Sequence, residues 1–414
     1  MVSQTTRFVQ ALTGLRWHGW LLFGLLAMAS LTTKALGAAW AWFAIFGLWQ
    51  IWAMRRQEGV GSYPAVLHMW LIACLVGFAL KAVATVYWSD PWADRHGEIR
   101  MLISAAAAYG VYRYGCCAPD QKHTLTVWIS HALSIASVLG LIWVLWQGRD
   151  NLTTHPIPWA GVMAMFSCWL LAVGLEPQYP TRIRHLWLAG GFLAVLAVLA
   201  SQSRGAFVVV FWWLGVWLLR AWRSIGQSSN KKAGLRRLAG GVTAAVLLLI
   251  ALAWTPVLQR PRESLQAAWS EALVSLQAPE AGSNSSVGAR MYMWQRSLTA
   301  IAQAPWLGYG KETRGRLIQQ WAEDAQSHEI ARLGHVHNEY LNSMIDHGIL
   351  GLASQLSYLV GLLLIALRLH RFGQITAALA LGGMGLAYAV GNISNVNFGH
   401  NYYTAGLALM TGLV

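Results

Sequence analysis

Runs of uncharged, apolar residues long enough to cross a lipid bilayer recur from one end of this chain to the other. A helix needs roughly 20 such residues to span the hydrocarbon core. Within that core no water can satisfy a peptide group, so a segment must bond its own backbone. Repeated segments of this length therefore predict α-helices and little else. About twelve read as spans, at 17–33, 37–54, 64–87, 100–115, 123–147, 157–175, 185–203, 205–222, 238–258, 348–368, 374–391 and 401–414. Composition agrees: 56% of residues are hydrophobic and 11% charged, where a soluble domain carries about 25% charged residues. The expectation is an all-α integral membrane protein with about twelve transmembrane helices. Arg7 and Arg16 precede a first apolar run that continues into a second, so the first span reads as uncleaved rather than as a signal peptide.

A net charge of +14 would point to nucleic acid if it gathered on one soluble face. Instead Lys and Arg fall in short connections between apolar runs, as topology signals do, and no nucleic-acid partner is expected. With the N-terminus inside, the inner connections hold Arg55 and Arg56, then Lys122, then Arg182 and Arg184. Further on they hold Arg220, Arg223, Lys231, Lys232, Arg236 and Arg237, and finally Arg368 and Arg371. The four cysteines, Cys74, Cys116, Cys117 and Cys168, avoid the polar region, so no disulfide framework or metal motif is indicated.

The same count places the largest connection, 259–347, outside the cytoplasm. It divides the chain into spans one to nine (1–258), a mostly helical outer loop (259–347) and spans ten to twelve (348–414). Within the loop, Leu265, Ala268, Trp269, Leu273 and Leu276 mark an amphipathic helix. The stretch from Gly282 to Ser286 reads as a loop, Arg290 to Ile301 as a second helix, and Arg316 to Leu333 as a third. Trp269, Trp294 and Trp306 suit anchors at the lipid interface.

Four places on the outer face carry chemistry. His337 would share a helical face with Tyr340, Leu341, Met344 and Ile345. It is either a backbone-bonded histidine at a helix start or a proton acceptor, its ordinary pKa being about 6.5. His335 and His337 do not share a helical face, and no acid completes a metal set. Arg204, in Ser201-Gln202-Ser203-Arg204-Gly205, either reaches toward lipid phosphates or grips an anion bidentately. Arg290 opens a helix after a Gly/Ser loop, where free backbone N–H groups attract anions; an ordinary surface arginine is the alternative. Lys81, inside the third span, is a functional candidate by default, although a long side chain can snorkel outward. The polar run Asn392, Ser394, Asn395, Asn397, His400 and Asn401 lies on the same side. A histidine, cations and amides beside a bilayer suit an anionic amphiphile whose head group reacts while its tail stays in lipid. Arginines can stabilise a departing diphosphate without a metal, and a histidine can take a proton from an acceptor hydroxyl.

The segment His337-Asn338 with Gly348 and Gly351 resembles the signature of bacterial O-antigen ligases. Ser203-Arg204-Gly205-Ala206, and Arg290, Trp294 and Pro305-Trp306-Leu307-Gly308-Tyr309-Gly310, resemble the wider superfamily of these ligases, O-antigen polymerases and bacterial protein O-oligosaccharyltransferases. The resemblance implies an inner-membrane glycosyltransferase with a periplasmic active site and no cofactor or metal. Its donor would be an undecaprenyl-diphosphate-linked O-antigen and its acceptor the lipid A–core oligosaccharide, with inversion at the anomeric carbon. Carried onto this chain, His337 would be the base, Arg204 and Arg290 the diphosphate ligands, and Asn338 would orient His337 or the acceptor. Lys81 is added from topology alone. A chain that stops at its last span favours the ligase over the protein-glycosylating members, and the Gly348–Gly351 spacing favours it over a polymerase of similar size and topology. A lipid-linked glycan flippase is the reading from a different class, although no inverted repeat is visible.

Overall fold

The computed structural model describes residues 17–54, 64–117, 119–227 and 256–414. The expected span at 238–258 lies almost wholly outside the described residues, as do Arg7, Arg16, Arg55, Arg56, Lys231, Lys232, Arg236 and Arg237. Among the described residues the chain is helical without strands. The helices are α1 (Trp17–Ala27), α2 (Thr33–Met54), α3 (Ala65–Trp88), α4 (His96–Cys117), α5 (Pro119–Gln147), α6 (Pro156–Gly174), α7 (Thr181–Ala200) and α8 (Val208–Gln227). After them come α9 (Pro256–Gln277), α10 (Pro279–Gly282), α11 (Ser286–Gln303), α12 (Gly310–Asp324), α13 (His328–Ala331), α14 (Glu339–Arg371), α15 (Ile375–Ser394) and α16 (Asn401–Leu413).

Eight of these helices are long and apolar enough to cross a membrane: α2, α3, α5, α6, α7, α8 with the turn before it, α14 and α15. The chain is an α-helical, multi-pass membrane protein. The first expected span is shorter than read, since α1 ends at Ala27. Helix α6 is hydrophobic on all sides and almost wholly buried, packed among α7, α15 and α16. A helix apolar all round belongs in the middle of such a bundle. Helix α8 is the opposite case, exposing Phe211, Leu214, Leu218, Leu219 and Trp222, the face a lipid-contacting helix presents.

Helices α11 to α13 and the loop that follows build a second, smaller core with α14, from Ala289, Tyr292, Met293, Ile301, Ile318, Trp321, Ile330, Val336 and Ile345. Its last member lies on α14, so this cap is continuous with the membrane helix that follows it. The expected third cap helix, Arg316 to Leu333, is corrected. Helix α12 begins at Gly310 and stops at Asp324, Gln326 adopts φ +48°, and Ser327 caps the separate turn α13 by accepting from the Ile330 N–H. Trp294 is not an interface anchor. Its indole N–H donates to the Val336 carbonyl at 2.8 Å, whereas Trp269 and Trp306 are 70% and 74% exposed.

Helix α14 breaks at His347–Gly348, where Gly348 has φ +57° and ψ −144°. The break frees backbone groups, and the loop between α11 and α12 takes them up. The Ile349 N–H donates to the Pro305 carbonyl at 2.9 Å, and the Tyr309 N–H donates to the Ile345 carbonyl at 2.7 Å. The two chains are so close that a Cβ on Gly348 would sit on the Trp306 carbonyl, and one on Gly308 against Ile345 and Asp346. Thus the Pro305–Gly310 motif and the glycine after the histidine segment are two halves of one backbone joint. Replacing Gly348 with Ala combines this overlap with a backbone conformation that L-residues avoid at a cost of about 1–3 kcal/mol. Gly348→Ala is expected to lower the thermal unfolding midpoint of purified protein. Gly315→Ala, mid-helix with open space around its Cβ, is expected to leave it unchanged or raise it by up to about 1 kcal/mol of stability.

Candidate functional site

Three arginines converge at one end of the bundle. Arg149 comes from the turn after α5, Arg204 from the 3₁₀ turn between α7 and α8, and Arg290 from α11. With Gln202, Ser203, Gly205, Ser286, Ser394 and Ile157 they line a cavity of about 60 Å³. Among the described residues no acidic side chain lines it. Burial, then the charges of Arg204 and Arg149, lower the Arg290 pKa, yet a guanidinium keeps its proton in any protein. Glu329 and Glu271 are the nearby counter-charges, and one Glu271 oxygen accepts from the Val287 N–H at 3.0 Å. Gathering three fixed cations around a small space is unfavourable unless an anion enters it.

The first turn of α11 is not the free-amide anion site expected from its sequence. Its Val287 N–H is held by Glu271 and its Gly288 N–H by the Ser285 hydroxyl at 3.0 Å. Anion recognition here falls to side chains. Trp294, one turn beyond Arg290, ties α11 to the backbone next to His337, so the arginine and the histidine are located by the same helix.

His337 does not lie on a helical face with Tyr340, Leu341, Met344 and Ile345. Asn338 is the cap of α14, accepting from the Tyr340 and Leu341 N–H groups at 3.0 and 3.1 Å, so regular helix starts after His337. Asn338 therefore fixes His337 through the main chain, by ending the loop where the helix begins. His337 itself has φ +51°, a left-handed conformation that histidine, like Asn and Asp, adopts more often than other side chains but that still stores strain outside Gly. Its backbone N–H donates to His335 Nδ1 at 3.3 Å, and the two rings lie 4.3 Å apart. Its own Nδ1 is buried, with no hydrogen-bond partner among the described residues.

Burial foremost, then His335, Arg290 and His155, depress the His337 pKa to about 2, with Asn395 acting weakly in the other direction. The His335 pKa falls to about 4, through burial and then Arg314, His400, His155 and Arg290. His400, stacked on His155 at 5.8 Å, falls to about 4, chiefly through burial and then His155. At neutral pH these rings are uncharged and retain a lone pair each, which is the form that accepts a proton.

Lys81 is buried rather than snorkelling, and it joins a different group of residues. Its ammonium donates to Ser343 Oγ at 3.3 Å and lies 3.3 Å from His347 Nδ1. His347 Nε2 pairs with Asp90 at 2.7 Å, and Asp90 also faces Arg95 at 3.6 Å. Asp346 pairs with Arg314 of α12. This network fastens α3 to the first segment of α14 and to the cap. Arg204 and Arg290 line one cavity, His337 lies within electrostatic reach of Arg290, and Lys81 belongs to a separate ion network. Sequence reading passed over Arg149 and His155. The available signal for Arg149 was an arginine in a connection that the charge count assigned to the basic-poor side.

Residues 189–356 match the family model described as O-antigen ligase. That interval includes Arg204, Arg290, His337, Asn338 and Gly348, and excludes Lys81, Arg149 and Asn395. An uncharacterized protein of Haemophilus influenzae is 33% identical over 69 residues, which is 16% of this chain and 17% of that protein.

The depressed histidine pKa values make a stability prediction. The unfolded chain protonates near pH 6.5, and the folded chain does so only near pH 4 for His335 and His400 and near 2 for His337. Their stabilising contribution is complete above about pH 6.5 and is lost as pH falls. Each such group costs about 1.4 kcal/mol per pH unit until its folded pKa is reached. Melting curves in detergent are expected to shift to lower temperature from pH 7 to 5, and His400→Gln is expected to flatten that slope.

Proposed function

We propose that this chain, a member of the O-antigen ligase/polymerase superfamily, is itself an O-antigen ligase of the bacterial inner membrane. The observation that carries the reading is a three-arginine cavity lined by no carboxylate among the described residues, within electrostatic reach of a strained, uncharged histidine whose buried Nδ1 has no hydrogen-bond partner among them. The layout proposed is that of about twelve spans, with 1–258 and 348–414 in the membrane and 259–347 as a periplasmic cap. Arg149, Arg204 and Arg290 bind the diphosphate of an undecaprenyl-diphosphate-linked polysaccharide, whose prenyl tail remains in the bilayer. The acceptor is a sugar hydroxyl of lipid A–core.

In the transfer step the acceptor O–H gives its proton to the His337 ring. The acceptor oxygen attacks the anomeric carbon from the face opposite the diphosphate, forming the new glycosidic bond. The bond from the anomeric carbon to the phosphate oxygen breaks, and its electron pair leaves on the diphosphate, facing the arginines. Configuration inverts, and the ring proton then passes to water. The guanidinium groups favour the charge that grows on the leaving group, which is transition-state rather than ground-state stabilisation.

Reconstitution with lipid-diphosphate-linked glycan and purified lipid A–core, with a chelator present, tests this. Transfer is expected with wild type, a fall of about 10²–10⁴-fold in His337→Ala, and a loss in each of Arg149→Ala, Arg204→Ala and Arg290→Ala. Full activity of His337→Ala, or a requirement for metal, overturns the mechanism. Glycan growing on lipid diphosphate identifies a polymerase, transfer to a protein identifies an oligosaccharyltransferase, and glycan movement without transfer identifies a flippase.

A further inference from the structure

We infer that His347 is a positioning residue for the histidine segment, an uncharged ring that carries its hydrogen on Nε2 and is clamped at both nitrogens where α14 breaks. The ring is 0% exposed. Its Nε2 lies 2.7 Å from Asp90 Oδ2, and its Nδ1 lies 3.3 Å from Lys81 Nζ. One partner is on α3 and the other just after it, so the clamp ties the break to a helix remote in sequence.

The partners decide where the hydrogen sits. Asp90 accepts from the Lys311 N–H at 3.4 Å through its other oxygen and faces Arg95 at 3.6 Å, contacts that suit a carboxylate. A carboxylate only accepts, which places N–H on Nε2. Glu98, Asp346 and Glu339 act on Lys81 against the single cation Arg95, and its ammonium donates to Ser343 Oγ at 3.3 Å. The Ser343 hydroxyl donates onward to Glu339 at 3.5 Å, so its lone pairs are free for Lys81. An ammonium only donates, and the Nδ1 facing it therefore keeps the lone pair. The other tautomer would turn N–H against N–H at one end of the ring and a lone pair against a carboxylate at the other.

The place of the clamp gives it its role. His347 is where α14 leaves helical geometry, with φ −135° and ψ 15°. The Pro305–Gly310 loop holds the break through backbone hydrogen bonds. The His347 ring holds it from α3, and Asp90 carries that hold to the start of α12 through Lys311. Residues 339–347 extend about 14 Å at 1.5 Å per residue, so a swing of about 10° at the break moves the Asn338 end by about 2 Å. A misplacement of about 1 Å can cost a reaction about a hundredfold. Neither His347, Lys81 nor Asp90 lines the arginine cavity, so the clamp bears on where His337 sits and not on the groups that face the donor.

The clamp is a property of the fold; only its effect on transfer rests on the function proposed above. The test is solid-state ¹⁵N NMR of the full chain in lipid nanodiscs, labelled at histidine. Asp346–His347 is the sole Asp–His pair in the sequence and Val336–His337 the sole Val–His pair, so pairwise labelling assigns both rings in the wild type. Hydrogen on Nε2 and none on Nδ1 of His347 is expected, with the Nδ1 signal moving in Lys81→Met and the Nε2 signal in Asp90→Asn. Hydrogen on Nδ1, hydrogen on both nitrogens, or signals indifferent to both substitutions overturns the inference. Positioning is read in His347→Gln, whose amide reaches the Nε2 position but cannot bridge to Lys81 as well. The His337 ring signals are expected to move, and kcat, counted per protein that still binds donor, to fall about tenfold or more with the donor KM within about twofold. Unmoved His337 signals or an unchanged kcat overturns the positioning role. If the glutamine variant does not fold, Asp90→Asn is judged by the same two readouts, and the wild-type tautomer remains a test by itself. A clamp that behaves as expected while His337→Ala retains full transfer refutes the proposed base and leaves the role of His347 in placing the segment standing.

Discussion

The joint between the Pro305–Gly310 loop and the broken helix α14 is the constraint on which the rest of the site depends. A long apolar helix would otherwise run straight from the cap into the bilayer. Breaking it at His347–Gly348 leaves peptide groups that no water inside the protein would satisfy. The loop satisfies them with two backbone hydrogen bonds, at an approach that only glycine allows. The short first segment of α14, with Asn338 at its head, is then aimed independently of the long membrane segment. Side chains reinforce the same joint: Trp88 Nε1 donates to the Leu307 carbonyl at 2.7 Å, and Arg314 pairs with Asp346. A pair of backbone hydrogen bonds carries no side-chain chemistry, yet it determines where His337 sits.

Around that fixed point the protein assembles charges that do not favour folding. Lys81, Asp90, Arg95, Glu98, Glu339, Asp346 and His347 are all buried. Most have opposite partners within reach, and such a network is neutral to mildly stabilising once desolvation is counted. Its effect is geometric, since removing one partner leaves the others uncompensated. The arginine cavity differs, because its three cations face one another across a space without a carboxylate. A fold that keeps an ion network and an arginine-lined cavity side by side separates scaffold from candidate binding site. Lys81 belongs to the first, and Arg204 and Arg290 to the second.

The spans were legible because a bilayer imposes a length and forbids unpaired backbone, so hydropathy alone locates most of them. Arg204, Arg290 and the histidine segment were legible as polar interruptions at the mouths of those spans. What was not legible was pairing across the chain. Period and spacing place His337 on a helical face with Tyr340, and only the cap formed by Asn338 shows that the helix begins later. Trp294 reads as an interface residue by type, and its bond to Val336, 42 positions away, makes it an internal strut. Lys81 and His347 are 266 positions apart. Short-range patterns report on the residues they contain, and a buried ion network is built from residues they never see together.

A histidine whose pKa is pressed down to about 2 is a weak base by itself, and this bears on how it would work. After burial, the depression comes from His335, Arg290 and His155, of which Arg290 is a permanent cation. Arg290 also lines the cavity proposed for the diphosphate. An anion placed against it offsets the very charge that opposes protonation of the ring. The ring is then least basic when the cavity is empty and more basic when a donor fills it. Under the proposed function, proton acceptance by His337 is coupled to the presence of the leaving group. The guanidinium proposed to hold the donor would thus add, after burial and His335, to what keeps the ring uncharged while the cavity is empty.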